Sequence, residues 1–511
     1  MKGYFLLTIA IMGISTVMGQ GGGPQVMTAG GMVEGTVEAS GVHAFKGVPY
    51  AAPPVGDLRF REPQPLASWQ GVKKTQAFGP RAMQLPIYAD MQFRSNGVSE
   101  DCLYLNVWAP ASGQRLPVLV YFYGGGFVCG DGSEYRYDGE SMAKRGIVAV
   151  TVNYRLGVFG FLAYPELTKE SAHHSSGNYG LLDQHAALEW VQKNIAAFGG
   201  DPARVTIAGE SAGSVSVCAQ MASPLSKGLF AGAIGESGGS AGRQVALDTA
   251  EQQGVRFAEG LGMKTIADLR AMPAADLLQA TAKGARFPVV IDGYFLPEAP
   301  DDIYTAGDQM KVALLAGWNS AEVDYHGILG GGAATVEAYE AAVRKLYGDK
   351  ADEVLGLYKA ASVEEVMRAG TDLATDRFIA YSTWKWIDRA AATGGKPVYR
   401  YLYAHPRPPL AGGTGIARPP MGAGHSWEIE YALGNLHTNS VYAWTQDDDK
   451  VSATMEAMFA NFIKTGDPNG KGLPTWPPMK AGVSEIMVID VHSRAEKEQH
   501  PERYRWMDGQ Q

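Results

Sequence analysis

The stretch "RVTIAGESAGSVSVCAQMAS", residues 204–223, decides the fold. Its β-branched start, 205–207, is typical of a strand, and the small residues after Ser211 let a helix pack tightly behind the turn. A serine in G-x-S-x-G at a strand-to-helix turn is the pattern of a nucleophile elbow, in which the hydroxyl stands above a helix N-terminus. The stretch therefore predicts an α/β fold with a reactive Ser211.

A second serine phrase follows closely, because "IAGESAGS" at 207–214 is nearly repeated as "AIGESGGS" at 233–240. Ser211 and Ser237 cannot both be the nucleophile. The segment "FAGAIG" could supply a strand before Ser237, but "GGSAGR" is a poor helix start. The context favours Ser211, and Ser237 is interpreted as a turn serine or a buried hydrogen-bonding group.

Short apolar runs alternate with amphipathic segments along the chain. The runs at 116–123, 146–154, 311–317 and 397–404 have the length and residue types of strands, and 180–200 has helical spacing. This alternation of strands and helices implies right-handed crossover connections between parallel strands. We expect a central, mostly parallel β-sheet with helices on both faces.

The N-terminus carries one lysine, an apolar run over 4–17 and small residues around Gly19. This pattern predicts a signal peptide over 1–19, cleaved near Gly19, and a secreted or periplasmic protein. A membrane anchor is the alternative, but the run is shorter than the roughly 20 residues of a spanning helix. Residues 20–511 are interpreted as a single catalytic domain with a helical excursion about 240–375.

Composition and charge exclude several classes of protein. The 511 residues are 46% hydrophobic and 19% charged, which is ordinary for a soluble globular protein. The net charge is −9 with no basic patch, so nucleic acid is not an expected partner. The three cysteines, Cys102, Cys129 and Cys218, form no metal-like spacing, and neither metal nor cofactor is expected.

A serine nucleophile needs donors for the oxyanion and a base. The three glycines of "YFYGGGF", 124–126, follow a strand and let backbone N–H groups approach a substrate. Alone they would indicate a tight turn; upstream of an elbow they are interpreted as an oxyanion hole.

In this topology the acid and the histidine follow the serine in the chain. Glu322 and Asp324 lie in the loop after the strand at 311–317. The small residues before His425 favour it as the base, and His405 is the alternative. The other candidate histidines are His326, His437, His492 and His500.

Several ordered motifs resemble those of the type-B carboxylesterases, the family that includes cholinesterases. The resemblance implies an α/β-hydrolase fold, a bacterial-type secreted member, and a serine esterase without cofactor. The motifs are "GVPYAAPPVGDLRF" (47–60), "SEDCLYLNVWAP" (99–110), "NYRLGVFGFL" (153–162), "FGGDPARVTIAGESAG" (198–213) and "NFIKTGDPNG" (461–470).

The resemblance also implies roles for individual residues. It assigns Ser211 as nucleophile, Glu322 as acid, His425 as base, and the N–H groups of Gly125, Gly126 and Ala212 as oxyanion hole. Ser237 matches a second serine that is hydrogen-bonded near the acid. Two buried ion pairs are implied as well, Arg59 with Glu100 and Arg155 with Asp183.

The chain departs from the family's pattern at four places. Tyr123 stands before the glycines where bacterial members usually have His, and the acid loop reads Ala-Glu-Val over 321–323 instead of Asp-Glu-Gly. Cys102 lacks the upstream cysteine with which it is commonly paired. The segment 88–101 has no tryptophan to hold a quaternary amine, which disfavours choline esters.

The sequence predicts hydrolysis of a small to medium or bulky organic ester through an acyl-serine, with the specific ester and the oligomeric state open. One alternative is a serine esterase using Ser382-x-x-Lys385 with K-T-G at 464–466. Both motifs are interpreted as accidental, and Ser382 and Lys385 are expected on an exposed helix face. The other alternative is a non-catalytic adhesion protein on the same fold.

Overall fold

The computed structural model describes residues 22–240, 244–413, 421–479 and 485–510. The predicted signal peptide, 1–19, and its cleavage position near Gly19 lie outside these residues.

A central sheet organises the described residues. Its eleven strands there lie in the spatial order β11-β10-β9-β8-β7-β6-β4-β5-β3-β2-β1. In chain order they are β1 (Thr36–Val37), β2 (His43–Pro49), β3 (Tyr104–Ala109), β4 (Leu116–Phe122), β5 (Val148–Val152), β6 (Gly200–Glu210), β7 (Gly232–Glu236), β8 (Ala313–Asn319), β9 (Val398–Tyr403), β10 (Glu485–Ile489) and β11 (Arg494–Lys497).

The middle of the sheet is parallel, which confirms the expectation. The pairs from β10 across to β5 run parallel, and the strands at both margins pair antiparallel. The central strands β5 and β7 are buried at every residue, as is typical of parallel strands covered on both faces. Smaller sheets lie outside, one of three strands formed by Gln25–Thr28, Gly31–Glu34 and Val72–Lys74.

Helices cover the sheet, and among the described residues none is long and apolar enough to cross a membrane. They are α1 (Glu140–Lys144), α2 (Gly157–Phe161), α3 (Pro165–Glu170), α4 (Tyr179–Asn194), α5 (Ala212–Ala222), α6 (Leu247–Gly260), α7 (Ile266–Ala271), α8 (Ala274–Thr281), α9 (Pro300–Ala306), α10 (His326–Leu329), α11 (Val336–Tyr347), α12 (Ala351–Leu357), α13 (Val363–Thr375), α14 (Tyr381–Thr393), α15 (Ile429–Leu433), α16 (Gln446–Thr465) and α17 (Pro501–Asp508).

The segment about 240–375, predicted as a helical excursion, holds α6 to α13. The strand β8 divides it, and this strand belongs to the central sheet as the run at 311–317 indicates. The excursion therefore consists of two groups of helices, one on each side of β8 along the chain.

Parallel pairing brings several loops to one edge of the sheet. The strands β4, β6, β7 and β8 are consecutive neighbours and run in the same direction. Their carboxyl ends are followed by the glycines 124–126, by Ser211, by Ser237 and by the loop that carries Glu322. Ligands of open α/β sheets bind at this edge.

A buried ion pair fixes α4 to the loop after β5. The guanidinium of Arg155 donates from Nε and Nη2 to the two oxygens of Asp183, at 2.8 and 2.7 Å. The Arg155 N–H also donates to Asp183, and Asp183 is fully buried. Arg59 and Glu100 form a second such pair at 2.6 Å. Both pairs implied by the family resemblance are therefore present.

Replacing Asp183 with Asn should destabilise the protein by about 3–5 kcal/mol, because it leaves the buried Arg155 charge uncompensated. The measurement is the unfolding midpoint in urea. The matched control is Asp352→Asn, which breaks a pair with Arg344 whose carboxylate is 80% exposed, and it should shift the midpoint little. Equal shifts in the two variants would contradict the assigned role of the buried pair.

Candidate active site

Ser211 lies at a sharp turn between β6 and α5. Its φ of 55° and ψ of −119° are rare for a residue with a Cβ. The Ser211 N–H donates to the Glu236 carbonyl at 2.8 Å, and the Val215 N–H donates to the Ser211 carbonyl at 2.9 Å. The side chain of Ser211 makes no hydrogen bond that caps α5. The hydroxyl is therefore not used in holding the helix.

Two glycines allow this turn to approach the end of β4. A Cβ on Gly213 would lie 2.0 Å from the carbonyl oxygen of Phe122, and a Cβ on Gly209 would lie 2.5 Å from the carbonyl carbon of Gly213. Neither distance leaves room for a side chain. The two glycines of G-x-S-x-G are therefore required by packing.

Glu322 and His425 are brought together from separate loops. His425 Nδ1 lies 2.6 Å from Glu322 Oε2. The other oxygen, Oε1, accepts hydrogen bonds from the Ser237 hydroxyl at 2.5 Å and the Asn319 N–H at 2.7 Å. These bonds compensate for the burial of the Glu322 carboxylate and fix its orientation.

Ser237 occupies a second strained turn but has a different environment from Ser211. Its φ is 53° and it is fully buried. It follows β7, and α6, the next helix that the structure describes, begins only at Leu247. The hydroxyl is hydrogen-bonded to Glu322, as the family resemblance implies for the second serine.

The glycines after β4 lie beside Ser211. A Cβ on Gly124 would be 3.1 Å from the Ser211 Cβ, and Gly125 and Gly126 have φ of 106° and 64°. Among the described residues, no acceptor is recorded for the N–H of Gly125 or Gly126. The Ala212 N–H is the first of α5, where helices leave donors without an internal partner. Three free donors therefore surround the serine.

The other histidine candidates lie away from Glu322. His405 Nε2 is 2.8 Å from Asp448 Oδ1, and His326 is exposed beside Asp324. His437, His492 and His500 are also exposed. Of the candidates, the structure brings only His425 to Glu322.

The expectation of an exposed helix face at Ser382 and Lys385 is wrong for Lys385, and Ser382 is half-buried. Lys385 lies on α14 and is 4% exposed, with its ammonium 2.8 Å from Asp301 and 3.1 Å from Asp508. Helix packing against two carboxylates explains this burial. An ammonium paired in this way is not available as a base. The K-T-G at 464–466 ends α16, as the sequence indicates.

Residues 22–507 match the sequence model of the carboxylesterase family. This chain belongs to that family. It is 36% identical to the fumonisin B1 esterase of Sphingopyxis macrogoltabida, over 90% of this chain and 85% of the relative. It is 35% identical to the para-nitrobenzyl esterase of Bacillus subtilis, over 94% and 97% of the two chains.

Solved structures of carboxylesterases have the same fold. A PNB esterase superposes with a TM-score of 0.79 at 34% identity, covering 94% of this chain and 98% of the other. The Geobacillus stearothermophilus carboxylesterase EST55 gives 0.81 at 31% identity, covering 94% and 99%. The predicted α/β-hydrolase fold is confirmed, and the protein is a carboxylic ester hydrolase.

One further residue of this carboxylesterase lies at the site and is not predicted from the sequence. Glu210 Oε1 is 3.2 Å from His425 Nε2, so carboxyl groups flank both ring nitrogens. Among the described contacts, no hydrogen bond joins the Ser211 hydroxyl to His425. Both serine phrases carry Glu immediately before Ser, as Glu210 and Glu236, which places a carboxyl group beside each serine but does not indicate a contact with the histidine.

Glu210 and Glu428 are buried carboxyl groups near His425, and Glu236 is a third buried carboxyl group that lies near both of them. Burial raises the pKa of each above its ordinary value. Burial also lowers the pKa of His425, but the charges of Glu210 and Glu322 outweigh this effect and raise it above 6.5. These three carboxyl groups and the His425 imidazole therefore bind their protons more tightly than the same groups do in water.

Phe378 forms a wall beside the histidine. Its ring meets that of His425 edge-on, with centroids 5.0 Å apart and planes at 86°. It lies in a π-helical turn, Asp376–Ala380, between α13 and α14. No spacing in the sequence indicates this turn.

Within the described residues, no group of His, Cys, Asp or Glu is placed to hold a metal.

Glu210→Gln should move the acidic limb of the pH dependence of kcat/KM to lower pH. A neutral His425 is needed to accept a proton, so activity rises as pH passes its pKa, which lies above 6.5 in the native enzyme. The variant lacks the carboxylate that raises this pKa. The measurement is the pH profile with p-nitrophenyl acetate, and an unchanged acidic limb would contradict the assignment.

Proposed function

We propose that Ser211, His425 and Glu322 are the nucleophile, base and acid of a catalytic triad. The observation that carries this proposal is the 2.6 Å contact between His425 Nδ1 and Glu322 Oε2. The Ser237 hydroxyl donates a hydrogen bond to the other oxygen of the Glu322 carboxylate. A carboxylate on Nδ1 leaves Nε2 as the proton acceptor. Ser211, His425 and Glu322 are all present. A non-catalytic adhesion protein would not require them, so the presence of all three favours an enzyme over that alternative.

In the first step, the Ser211 hydroxyl attacks the ester carbonyl carbon while His425 Nε2 takes its proton. The N–H groups of Gly125, Gly126 and Ala212 stabilise the oxyanion, and loss of one such donor typically costs about 3 kcal/mol of barrier stabilisation. Collapse of the tetrahedral intermediate breaks the bond to the alcohol, which leaves with the proton from His425.

In the second step, water attacks the acyl-serine, and His425 takes a proton from that water. Collapse returns the proton to Ser211 and releases the carboxylic acid. Glu322 stabilises the imidazolium in both steps through Nδ1. Glu210 faces Nε2 in the structure, so the ring must exchange this contact for one with Ser211 or water.

The substrates of this family are small-molecule esters. We further propose an organic ester of small to medium or bulky size, because relatives at 35–36% identity are named para-nitrobenzyl esterase and fumonisin B1 esterase. Choline esters are disfavoured, because the segment 88–101 has no tryptophan.

Secretion through the segment 1–19 is also proposed, to the medium or the periplasm. The support is the order of a lysine, an apolar run and small residues. N-terminal sequencing of the protein after expression in a bacterial host should give a mature chain beginning just after Gly19. A chain that retains its first residues in the cytoplasm would contradict export.

Ser211→Ala should lower the turnover of p-nitrophenyl acetate by at least about 10⁴-fold, because no other group then forms the acyl-enzyme. Fluorophosphonate labelling and peptide mapping should place the label on Ser211. Ser237→Ala retains the nucleophile and should keep both the label and a reduced turnover, since Glu322 loses one hydrogen bond.

His425→Gln tests the proposed base, and His405→Gln is its matched control. The first should lose activity to a similar extent as Ser211→Ala, and the second should retain it, because His405 is paired with Asp448 instead. A label on Ser237 or Ser382, or loss of activity in His405→Gln alone, would contradict the proposed triad.

A further inference from the structure

The tight turn that carries His425 contains a strained residue. The Trp427 N–H donates to the Gly424 carbonyl at 3.2 Å, so His425 and Ser426 are the two central residues of the turn. Ser426 has a φ of 65°, and His425 is not among the residues with positive φ. Turns of this kind usually have glycine or asparagine at the second central position. This chain has a serine there, so the backbone is strained directly after the base.

Two buried arginines donate hydrogen bonds to Ser426. Nη1 of Arg136 lies 3.1 Å from the Ser426 hydroxyl oxygen, and Nη2 of Arg407 lies 3.2 Å from the Ser426 carbonyl oxygen. Hydrogen bonds from a charged donor are stronger than those between neutral groups. The side chain and the backbone of the strained residue are therefore each bound by a cation.

Carboxylates hold both guanidinium groups in place. Nε of Arg136 donates to the buried Glu134 at 2.6 Å, and Nη2 of Arg407 donates to the buried Glu430 at 2.7 Å. Nη1 of Arg407 also donates to the Tyr442 hydroxyl at 3.2 Å. Because a guanidinium is planar and rigid, pairing on one side fixes the direction of its remaining N–H groups.

The two arginines do not bind the reacting side chains directly. Among the described hydrogen bonds and ion pairs, none joins either arginine to the side chain of Ser211, Glu322 or His425. The His425 N–H donates to the Glu322 carbonyl at 3.3 Å, so the backbone of the base is fixed between that carbonyl and the turn. The conformation of Ser426 therefore sets the direction from which the imidazole approaches the nucleophile.

We propose that Arg136 and Arg407 are positioning residues, which hold Ser426 at its left-handed φ. The turn then directs the imidazole of His425 towards Ser211. This inference rests on the proposed function, because it requires His425 to be the base.

The first test compares Ser426→Ala with Ser426→Gly in the hydrolysis of p-nitrophenyl acetate. Both variants lose the hydroxyl that accepts from Arg136, but only glycine adopts a φ of 65° without strain. Ser426→Ala should lower kcat by about tenfold with little change in KM, since displacing a reacting group by about 1 Å typically costs about 100-fold. Ser426→Gly should keep at least about three times the kcat of Ser426→Ala, because it relieves the strain. Equal kcat values in the two variants would overturn the proposal.

The second test is a rescue of an arginine variant. Arg407→Lys keeps a positive charge beside Glu430 but lacks the second, rigidly placed donor that binds Ser426. It should lower kcat by about three- to tenfold. Adding Ser426→Gly to this variant should raise kcat again by about threefold, because glycine adopts the turn without the guanidinium. No rise in the double variant would overturn the proposal.

Arg400→Lys is the matched control. Arg400 is also buried and paired with a carboxylate, that of Glu498 at 2.8 Å, and no contact between it and the turn at 424–427 is recorded among the described residues. This variant should leave kcat unchanged, and adding Ser426→Gly to it should not raise kcat. A rise as large as that in the Arg407→Lys background would overturn the proposal.

Fluorophosphonate labelling of the native enzyme separates failure of this inference from failure of the triad. A label on Ser211 together with absent rescue would refute the positioning role and leave the triad intact. Absence of both the label and the turnover in the native enzyme would refute the triad, and the positioning role with it.

Discussion

The close approach of β4 to the turn after β6 is the constraint on which the site depends. A Cβ at Gly213 would lie 2.0 Å from the Phe122 carbonyl oxygen, so the start of α5 is in direct contact with the end of β4. This contact places Ser211 next to the glycines that follow β4. The donors and the nucleophile therefore come from two neighbouring parallel strands, and their separation is set by the backbone and not by mobile side chains.

The electrostatic environment of His425 follows from the same arrangement. Glu210 ends β6, Glu236 ends β7, and Glu322 follows β8, so three adjacent strands deliver carboxyl groups to one edge of the sheet. Burial raises the pKa of Glu210 and that of Glu236. The Glu322 carboxylate accepts hydrogen bonds from Ser237 and Asn319, which fix its orientation. Glutamates that lie at the same edge of the sheet therefore have different chemical environments, and the partners of each carboxyl group explain the difference.

The sequence indicates those parts of the site that depend on local backbone geometry. The β-branched run before Ser211 and the glycines around it predict the elbow, and the order of residues along an α/β sheet restricts the acid and the base. The contact of Glu210 with His425 Nε2 joins residues that are distant in the chain, and no local pattern encodes it. The sequence does not indicate the burial of Lys385 for the same reason, because its partners Asp301 and Asp508 are distant in the chain.

The π-helical turn at Asp376–Ala380 has a consequence for how the shape of the site can change. Each residue of an α-helix rotates the following side chains by about 100°, so a turn one residue wider changes the direction of everything after it. Phe378 meets His425 because of this local change in helical register. Loss of a single residue here would turn a different side chain towards the imidazole while leaving both flanking helices whole. A deletion in this turn can thus change which side chain contacts His425, without any substitution at the residues that react.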